Sequence, residues 1–493
     1  MTALATLLMG CIRLNQADAA SSLKLQFYII FLIDSLKIHQ LCAGFVWFAC
    51  CHAKIGCRTL RTMTGFRRMS SVQFYGNLGR RTFTVASLIL LIPFLLTGCY
   101  DRQELEQQAF VTALGIDKAT PELYDFSFTI ALPQNSSGLG GGQTGDQPLA
   151  AKGILTYRAH GLSEALLLAN SSIERSLSLT HLDLVVFGET LTQTGISQML
   201  RVIARNREFR GTVLAITAKG GSRALMAANQ PFLDKSSARM IDSIAHVGEQ
   251  TGIIPVTYLQ DLLRDAQTSH VGSVVPLFAV NADVKQNPQG GGAPKKDKVF
   301  YKSGRVNRTG GNPVEWVGGV VLKDSKATCE LSGKEVRNLM LMRGRLKMAQ
   351  WETADPVSPG EYLGLTLHRE RQPRYTVRLS NPLQISVEVP LEADLTQVSG
   401  DTNYSLPQYR LRLENVLSQQ LSREMEELLT KVLNRQQADV IPISATVRRR
   451  FWTDGDFTSY PWEERLTNAH IQVHVSLAIR RYGLELASAH TRI

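Results

Sequence analysis

From residue 104 onward the apolar positions follow two different rhythms. "ELEQQAFVTALGIDKA" passes from polar residues into an apolar run ending near Asp117, and "YDFSFTIAL" alternates with period two, which together predict a β-hairpin. After a glycine-rich loop the rhythm changes. "GILTYRAHG", "LDLVVFGE" and "TVLAITAKG" read as strands, while the intervening "LSEALLLANSSIERSL" and "ISQMLRVIARNREF" carry helical spacing. Two helices between three strands predict a small sheet with one face covered. "SARMIDSIAHVGEQTG" and "TYLQDLLRDAQ" continue as helices, and "SVVPLFAVNADV" returns to strand.

A second lobe is expected from "VEWVGGVVLKDSKATCELSGKEVRNLMLMRG", read as strand, turn, strand and helix. "YTVRLSN", "LQISVEVPLEADLTQV" and "AHIQVHVSLAIRRYG" alternate like strands of an antiparallel sheet. Between the last two lies a long helix in which Leu413, Leu417, Leu421, Met425, Leu428 and Val432 recur every three or four residues, a stripe that reads as core packed on that sheet. The expected class is α+β: multi-lobed, with mixed β-sheets, flanking helices and a long helix on an antiparallel sheet in the C-terminal lobe. Residues 99–300 form the expected N-terminal domain, with room for two subdomains, and 314–485 the C-terminal one.

The stretch "TVASLILLIPFLLTGCYDRQELEQQ" has the layout of an export signal although it lies deep in the chain. Arg80 and Arg81 supply a basic start, and the apolar run from Thr82 to Leu96 matches a signal core of about 7–15 residues. It is short for a membrane span of about 20. Leu96, Thr97, Gly98 and Cys99 resemble the lipobox of bacterial lipoproteins, where small residues fit the signal peptidase and the cysteine sulfur carries a diacylglyceryl thioether. Cys99 then becomes the lipid-bearing N-terminus. An uncleaved anchor with an incidental Cys99 is the other reading. A competing box, "LLMGC" ending at Cys11, has no Lys or Arg before it. Met63 or Met69 is the better initiator, and residues 1–98 are set aside as upstream extension plus signal peptide.

Charge and cysteine divide at the same place. The whole chain carries +11, but residues 1–98 hold ten Lys/Arg against two Asp/Glu, leaving 44 against 41 in the remainder. Nucleic-acid binding thereby loses its electrostatic support. Cys11, Cys42, Cys50, Cys51 and Cys57 precede Cys99, and only Cys329 follows, so no disulfide framework is expected. "CCHAKIGC" lacks a second ligand pair at zinc-site spacing.

The mature part offers little catalytic chemistry. His181, Asp183 and Glu189 are the densest titratable group, but strand alternation puts His181 and Asp183 on one face and sends Glu189 to the strand end, as expected of capping or strand-end roles. "GLGGG" and "ELSGKEV" lack the spacing of phosphate-binding loops, no G-x-S-x-G or HExxH occurs, and His246 and His270 are isolated. No catalytic or metal-binding residue is expected, and no cofactor beyond the lipid on Cys99. "ATVRRRFWTDGDF" groups Arg448, Arg449 and Arg450 beside Phe451 and Trp452. This reads as a charged strand face beside a packed Trp or, on a membrane-held protein, as a contact for anionic headgroups or an acidic partner loop.

"LLTGCYDRQELEQQAFVTALGIDK" resembles the start of the Ger(x)C family, the lipoprotein C subunits of bacterial spore nutrient-germinant receptors. Cys99, Asp101, Arg102, Glu104, Gly115, Ile116 and Asp117 fit the family pattern, while Tyr100 and Gln103 depart from its Trp and Arg. The resemblance continues through "HLDLVVFGETL", "GVVLKDSK" and the closing "VHVSLAIRRYG", over nearly the whole mature chain. It implies a non-enzymatic, lipid-anchored subunit on the outer face of the inner spore membrane or the cell membrane. Its implied partners are the A-type and B-type membrane subunits of the receptor, with Asp101, Arg102 and Glu104 as candidate contacts. An extracytoplasmic solute-binding lipoprotein is the alternative. It would show two similar lobes around a hinge.

If translation starts at Met63 or Met69, tryptic digests of the native protein will contain no peptide from residues 1–58. Detecting one by mass spectrometry overturns that start.

Overall fold

Strand β1 (Gln108–Lys118) and β2 (Tyr124–Ile130) form the expected antiparallel hairpin, in register from Lys118 against Tyr124 with a bulge between Val111 and Ala113. In this computed structural model the described residues are 104–131, 153–231, 237–286, 290–294 and 298–483. The lipobox residues, the glycine-rich segment 136–148 and part of 287–298 lie outside them.

Strand β3 (Gly153–Ala159) pairs antiparallel with β2, and α1 (Leu162–Asn170) carries the chain back to β4 (Ser176–Ser178), a short strand parallel to the start of β1. Then come β5 (Leu184–Phe187), α2 (Glu189–Thr194), α3 (Ser197–Arg205) and β6 (Leu214–Ala218). Helices α4 (Ser222–Ala228), α5 (Ser237–Thr251) and α6 (Leu259–Gln267) precede β7 (Ser273–Val280) and the short α7 (Ala282–Gln286). Strands β1, β5, β6 and β7 are mutually parallel neighbours. Their amino-terminal ends therefore share one edge of the sheet.

The sheet is covered on both faces, where one covered face was expected. Leu162, Met199, Ile203 and Leu262 pack on one side with Val185 and Phe187, and Leu225, Met226, Ile241 and Ile244 pack on the other with Val186 and Ile216. The cause is visible in β5 and β6: every residue of "LVVF" and "LAITA" is buried, the mark of a parallel strand enclosed by helices.

Strands β8 (Val314–Lys323) and β9 (Lys326–Leu331), expected to open the second lobe, instead complete the first sheet, whose order is β3-β2-β1-β5-β6-β7-β8-β9. β7 still had a free edge, and β8 pairs antiparallel along it from Ser273 against Leu322 to Val280 against Val314. Asp324 and Ser325, both at positive φ, make the tight turn between β8 and β9.

Helix α8 (Gly333–Met342) leads into the second sheet: β10 (Met348–Ala354), β11 (Tyr362–Arg369), β12 (Arg374–Arg378) and β13 (Gln384–Val398). β11 and β12 share one edge of β13 in a nearly continuous antiparallel register. The long helix α9 (Pro407–Leu429) follows, ending in a π-helical turn at Thr430–Arg435. Helices α10 (Ile443–Arg448), α11 (Asp454–Thr458) and α12 (Trp462–Thr467) lead to the last strand, β14 (His470–Arg481).

β14 runs parallel to β13, so the sheet is mixed and not purely antiparallel. Alternation along a strand reports which face is buried but not the strand's direction, and a helical crossover joins parallel strands. The helix stripe is core as expected, with Leu413, Leu417, Leu421, Met425, Leu428 and Val432 at most 3% exposed.

The adjacent row of the same helix seals the free edge of β14. Glu414 Oε1, Ser418 Oγ, Ser422 Oγ and Glu426 Oε1 accept hydrogen bonds from the backbone N–H groups of Ile479, Leu477, Val475 and Val473 at 2.7, 3.2, 3.0 and 2.9 Å. Replacing both Ser418 and Ser422 by Ala leaves two of these N–H groups without an acceptor and should cost about 1–3 kcal/mol in total. Urea unfolding measures it. A loss below a few tenths would show that the row carries no stability.

Candidate functional site

The family-like residues at the chain start divide into those that open the fold and those that hold its first sheet. Glu104 precedes a single 3-10 turn at Leu105–Gln107, and its carbonyl accepts from Gln107 N at 3.0 Å. Cys99, Leu96, Thr97, Gly98, Asp101 and Arg102 lie outside the described residues.

Gly115, Ile116 and Asp117 stand at the carboxyl end of β1. The Asp117 carboxylate accepts from Ser222 N at 2.8 and 3.0 Å and from Ser222 Oγ at 2.7 Å, capping the first turn of α4 across 105 residues of sequence. Two glycines make room for this contact. A Cβ on Gly188 would collide with Asp117 Oδ1, and one on Gly115 would overlap the Ser222 hydroxyl and approach Met226 Sδ to 2.7 Å. Ile116 is buried. The motif is thus a strand-to-helix clasp.

His181, Asp183 and Glu189 do not converge. His181 is exposed, with its ring 4.4 Å from Phe110, and Asp183 pairs with Arg210 at 3.0 Å, both before β5 begins. Burial raises the Asp183 pKa against the opposing charge of Arg210. Glu189 lies beyond the other end of β5, where its Oε2 accepts from Gly220 N at 2.8 Å. These are the capping and strand-end roles expected. His246 pairs with Gln250 on α5 at 2.8 Å. "ELSGKEV" is a capping box, with Ser332 N donating to Glu335 Oε2 at 2.7 Å.

A cleft of about 700 Å³ opens between α8 and the end of α9. Its four cations, Lys334, Arg423, Lys431 and Arg435, are matched by four carboxylates, Glu335, Glu424, Glu426 and Glu427, so no net charge there selects an ion. Among the described residues no three His, Cys, Asp or Glu side chains gather as metal ligands, and no helix is long and apolar enough to cross a membrane.

Two features were missed by sequence reasoning. The first is a polar seam between the sheets. Gly272 N donates to Asp439 O at 2.8 Å, Lys323 Nζ reaches Glu463 Oε2 at 2.7 Å, and the His270 ring meets Phe457 edge-on at 5.2 Å. Asp439 is wholly buried, its Oδ2 accepting from Ser444 N at 2.6 Å, and burial pushes its carboxyl up to about 7.

The second is the state of the arginine-aromatic segment. It is a helix end followed by a turn, not a strand face, and Trp452 is not packed: it is 99% exposed. The residue that packs is Phe451, whose ring lies 5.5 Å from Phe457 and 5.3 Å from Tyr460. Arg448 pairs with Asp454 at 2.7 Å, while Arg449 and Arg450 are exposed.

Two family descriptions match in order: "Spore germination protein N-terminal domain" over residues 101–280 and "Spore germination B3/ GerAC like, C-terminal" over 317–483. The chain belongs to the Ger(x)C family of spore germination proteins. Among relatives, the Bacillus subtilis (strain 168) spore germination protein KC is 25% identical over 82% of this chain and 97% of its own length. Spore germination protein B3 of the same organism is 20% identical over 82% and 99%. The crystal structure of the GerBC protein aligns over 77% of this chain and 99% of its own, with 15% identity and a TM-score of 0.41. Membership gives this Ger(x)C protein a role in spore germination, and its family is not one of known enzymes.

Asp439 sets a pH dependence. In the folded protein the carboxyl keeps its proton up to about pH 7, whereas unfolded it releases it near pH 4. The folded state holds the extra proton between these values, so this contribution to stability falls as pH rises from about 4 to about 7. Asp439→Asn removes it. Relative to the parent, the variant should gain on the order of 2 kcal/mol between pH 5 and pH 7.5 in denaturant unfolding. An unchanged difference across that range would show that Asp439 is ionised when folded.

Proposed function

We propose that this protein is a lipid-anchored, non-catalytic subunit of a spore nutrient-germinant receptor, needed for assembly or signalling with A-type and B-type membrane subunits. The observation that carries the reading is the order of features: a lipobox at Leu96–Cys99, immediately followed by both family domains. The lipid on Cys99 holds the folded domains at the outer face of the membrane. A diacylglyceryl group supplies two chains, as stable anchoring requires. Confinement to two dimensions then raises the effective concentration toward membrane partners, so modest interfaces suffice.

Two further observations support a role through contacts. Asp117, Asp183 and Glu189, the charged residues of the strand ends, act as caps and ion pairs within the fold. The two sheets also differ in strand number and topology, which weighs against a hinged solute-binding protein made of similar lobes.

Deleting the protein should abolish nutrient-triggered release of dipicolinic acid while leaving a receptor-independent germination route intact. Cys99→Ala should leave the chain unprocessed or free of the membrane, with no incorporation of labelled palmitate. An unchanged nutrient response in the deletion, with no sister receptor for that nutrient, would remove the receptor reading. Palmitate entering the Cys99→Ala chain would remove the anchor assignment.

A further inference from the structure

We propose that the turn bearing Arg449, Arg450 and Trp452 is a second membrane contact, seated on anionic phospholipid beside the lipid tether. The inference rests on the lipid-anchor reading and deepens it. Its starting point is an anomaly: an indole 99% exposed in a segment whose backbone is firmly held. Behind Trp452, Phe451 packs on Phe457 and Tyr460, and ahead of it Thr453 and Asp456 form a capping box at the start of α11. Trp462, ten residues on, is 1% exposed.

The topology puts this turn on the edge where the chain enters the fold. Ala113 of β1 stands level with Leu184 of β5 and Leu214 of β6, and the pairing of Thr217 with Leu277 brings Val274 of β7 to the same level. Gln108, at the start of β1, and His270, just before β7, therefore lie on the same edge, three strand spacings or about 15 Å apart. His270 stacks edge-on against Phe457, and Lys323 at the adjacent end of β8 holds Glu463, so the segment carrying Trp452 is fastened to that edge.

Other exposed apolar residues lie on elements that meet this edge. Among the described residues four large apolar ones are more than 60% exposed: Leu105 at 70%, Leu167 at 71%, Val299 at 82% and Trp452 at 99%. Leu105 is at the chain entrance. Leu167 lies in the later half of α1, which ends where Asn170 Oδ1 accepts from Leu177 N beside the start of β1. Three of the four thus belong to the tether edge. The five residue steps from Cys99 to Glu104 reach at most about 18 Å, which keeps that edge close to the bilayer surface.

The chemistry favours lipid over a protein partner. An indole with an apolar body and one N–H suits the headgroup layer. Among the described residues Arg449 and Arg450 have no ion-pair partner, and guanidinium groups take phosphate in two-pronged hydrogen bonds. The protein builds no pocket around the indole, so whatever the indole enters must itself exclude water, as the headgroup layer of a fluid bilayer does.

The test uses the full lipid-bearing chain in vesicles of phosphatidylglycerol and phosphatidylcholine with brominated acyl chains. Flotation reports the anchor and quenching of tryptophan fluorescence reports the contact. The expected result is quenching that Trp452→Phe removes by at least half, that Arg449→Ala with Arg450→Ala reduces at least twofold in anionic vesicles, and that the two Arg changes leave unaltered in pure phosphatidylcholine. All variants should keep the parent's melting temperature, since the three side chains are exposed. Flotation without quenching of Trp452 overturns the contact, leaves the anchor standing and assigns the turn to an acidic protein segment. Failure to float overturns both.

Discussion

The second sheet depends on how its last strand is closed. Among the described strands β14, a long one, has only β13 beside it, and an uncovered edge of this kind is a template for unwanted pairing. Helix α9 closes it with side chains. Along the helix, positions four apart rise by about 6 Å, and along a strand, positions two apart advance by about 6.6 Å, so one row of helix acceptors can meet every second N–H of a strand running the opposite way. Glu414, Ser418, Ser422 and Glu426 do this at four consecutive positions. Their neighbours Leu413, Leu417, Leu421 and Met425 form the parallel row buried in the core. One helix thus serves as both the hydrophobic cover and the polar border of the sheet.

The same economy explains the Gly-Ile-Asp segment. Asp117 reaches from the end of β1 to the start of α4, and this needs Gly188 and Gly115 to have no side chain. The cap fastens β1 to a helix on one face of the first sheet. It also shows a family signature serving to fasten the fold.

Much of this was legible in the sequence because it depends on neighbours. The hairpin of β1 and β2, the alternation of helices with β5 and β6, the tight turn at Asp324 and Ser325 and the buried stripe of α9 all follow from local period and turn chemistry. What could not be read depends on distant segments. The membership of β8 and β9 in the first sheet was decided by the free edge of β7, and the direction of β14 by the crossover through α9. Ser418 and Ser422 look like ordinary solvent-facing residues until β14 is placed beside them. Trp452 is the opposite case: composition suggests burial for a Trp among aromatics, but Phe451 takes the packed position and leaves the indole outside. Asp439 carries no local sign of its burial either, because its surroundings come from β7 and from the chain after α9.

The two sheets are joined too broadly to act as hinged lobes. Val274 and Val321 of the first sheet and Leu331 at the end of β9 belong to the same buried cluster as the α9 stripe and the inner face of β13. The polar seam then adds fixed contacts at Gly272, Lys323 and His270. Opening such a join would expose a packed core and break buried hydrogen bonds together, unlike the thin connection about which ligand-closing proteins bend. A displacement imposed at the edge where the chain enters would therefore be carried into the second sheet with little loss. On the proposed lipid-anchored reading, that rigidity would let the membrane set the position of surfaces far from the tether.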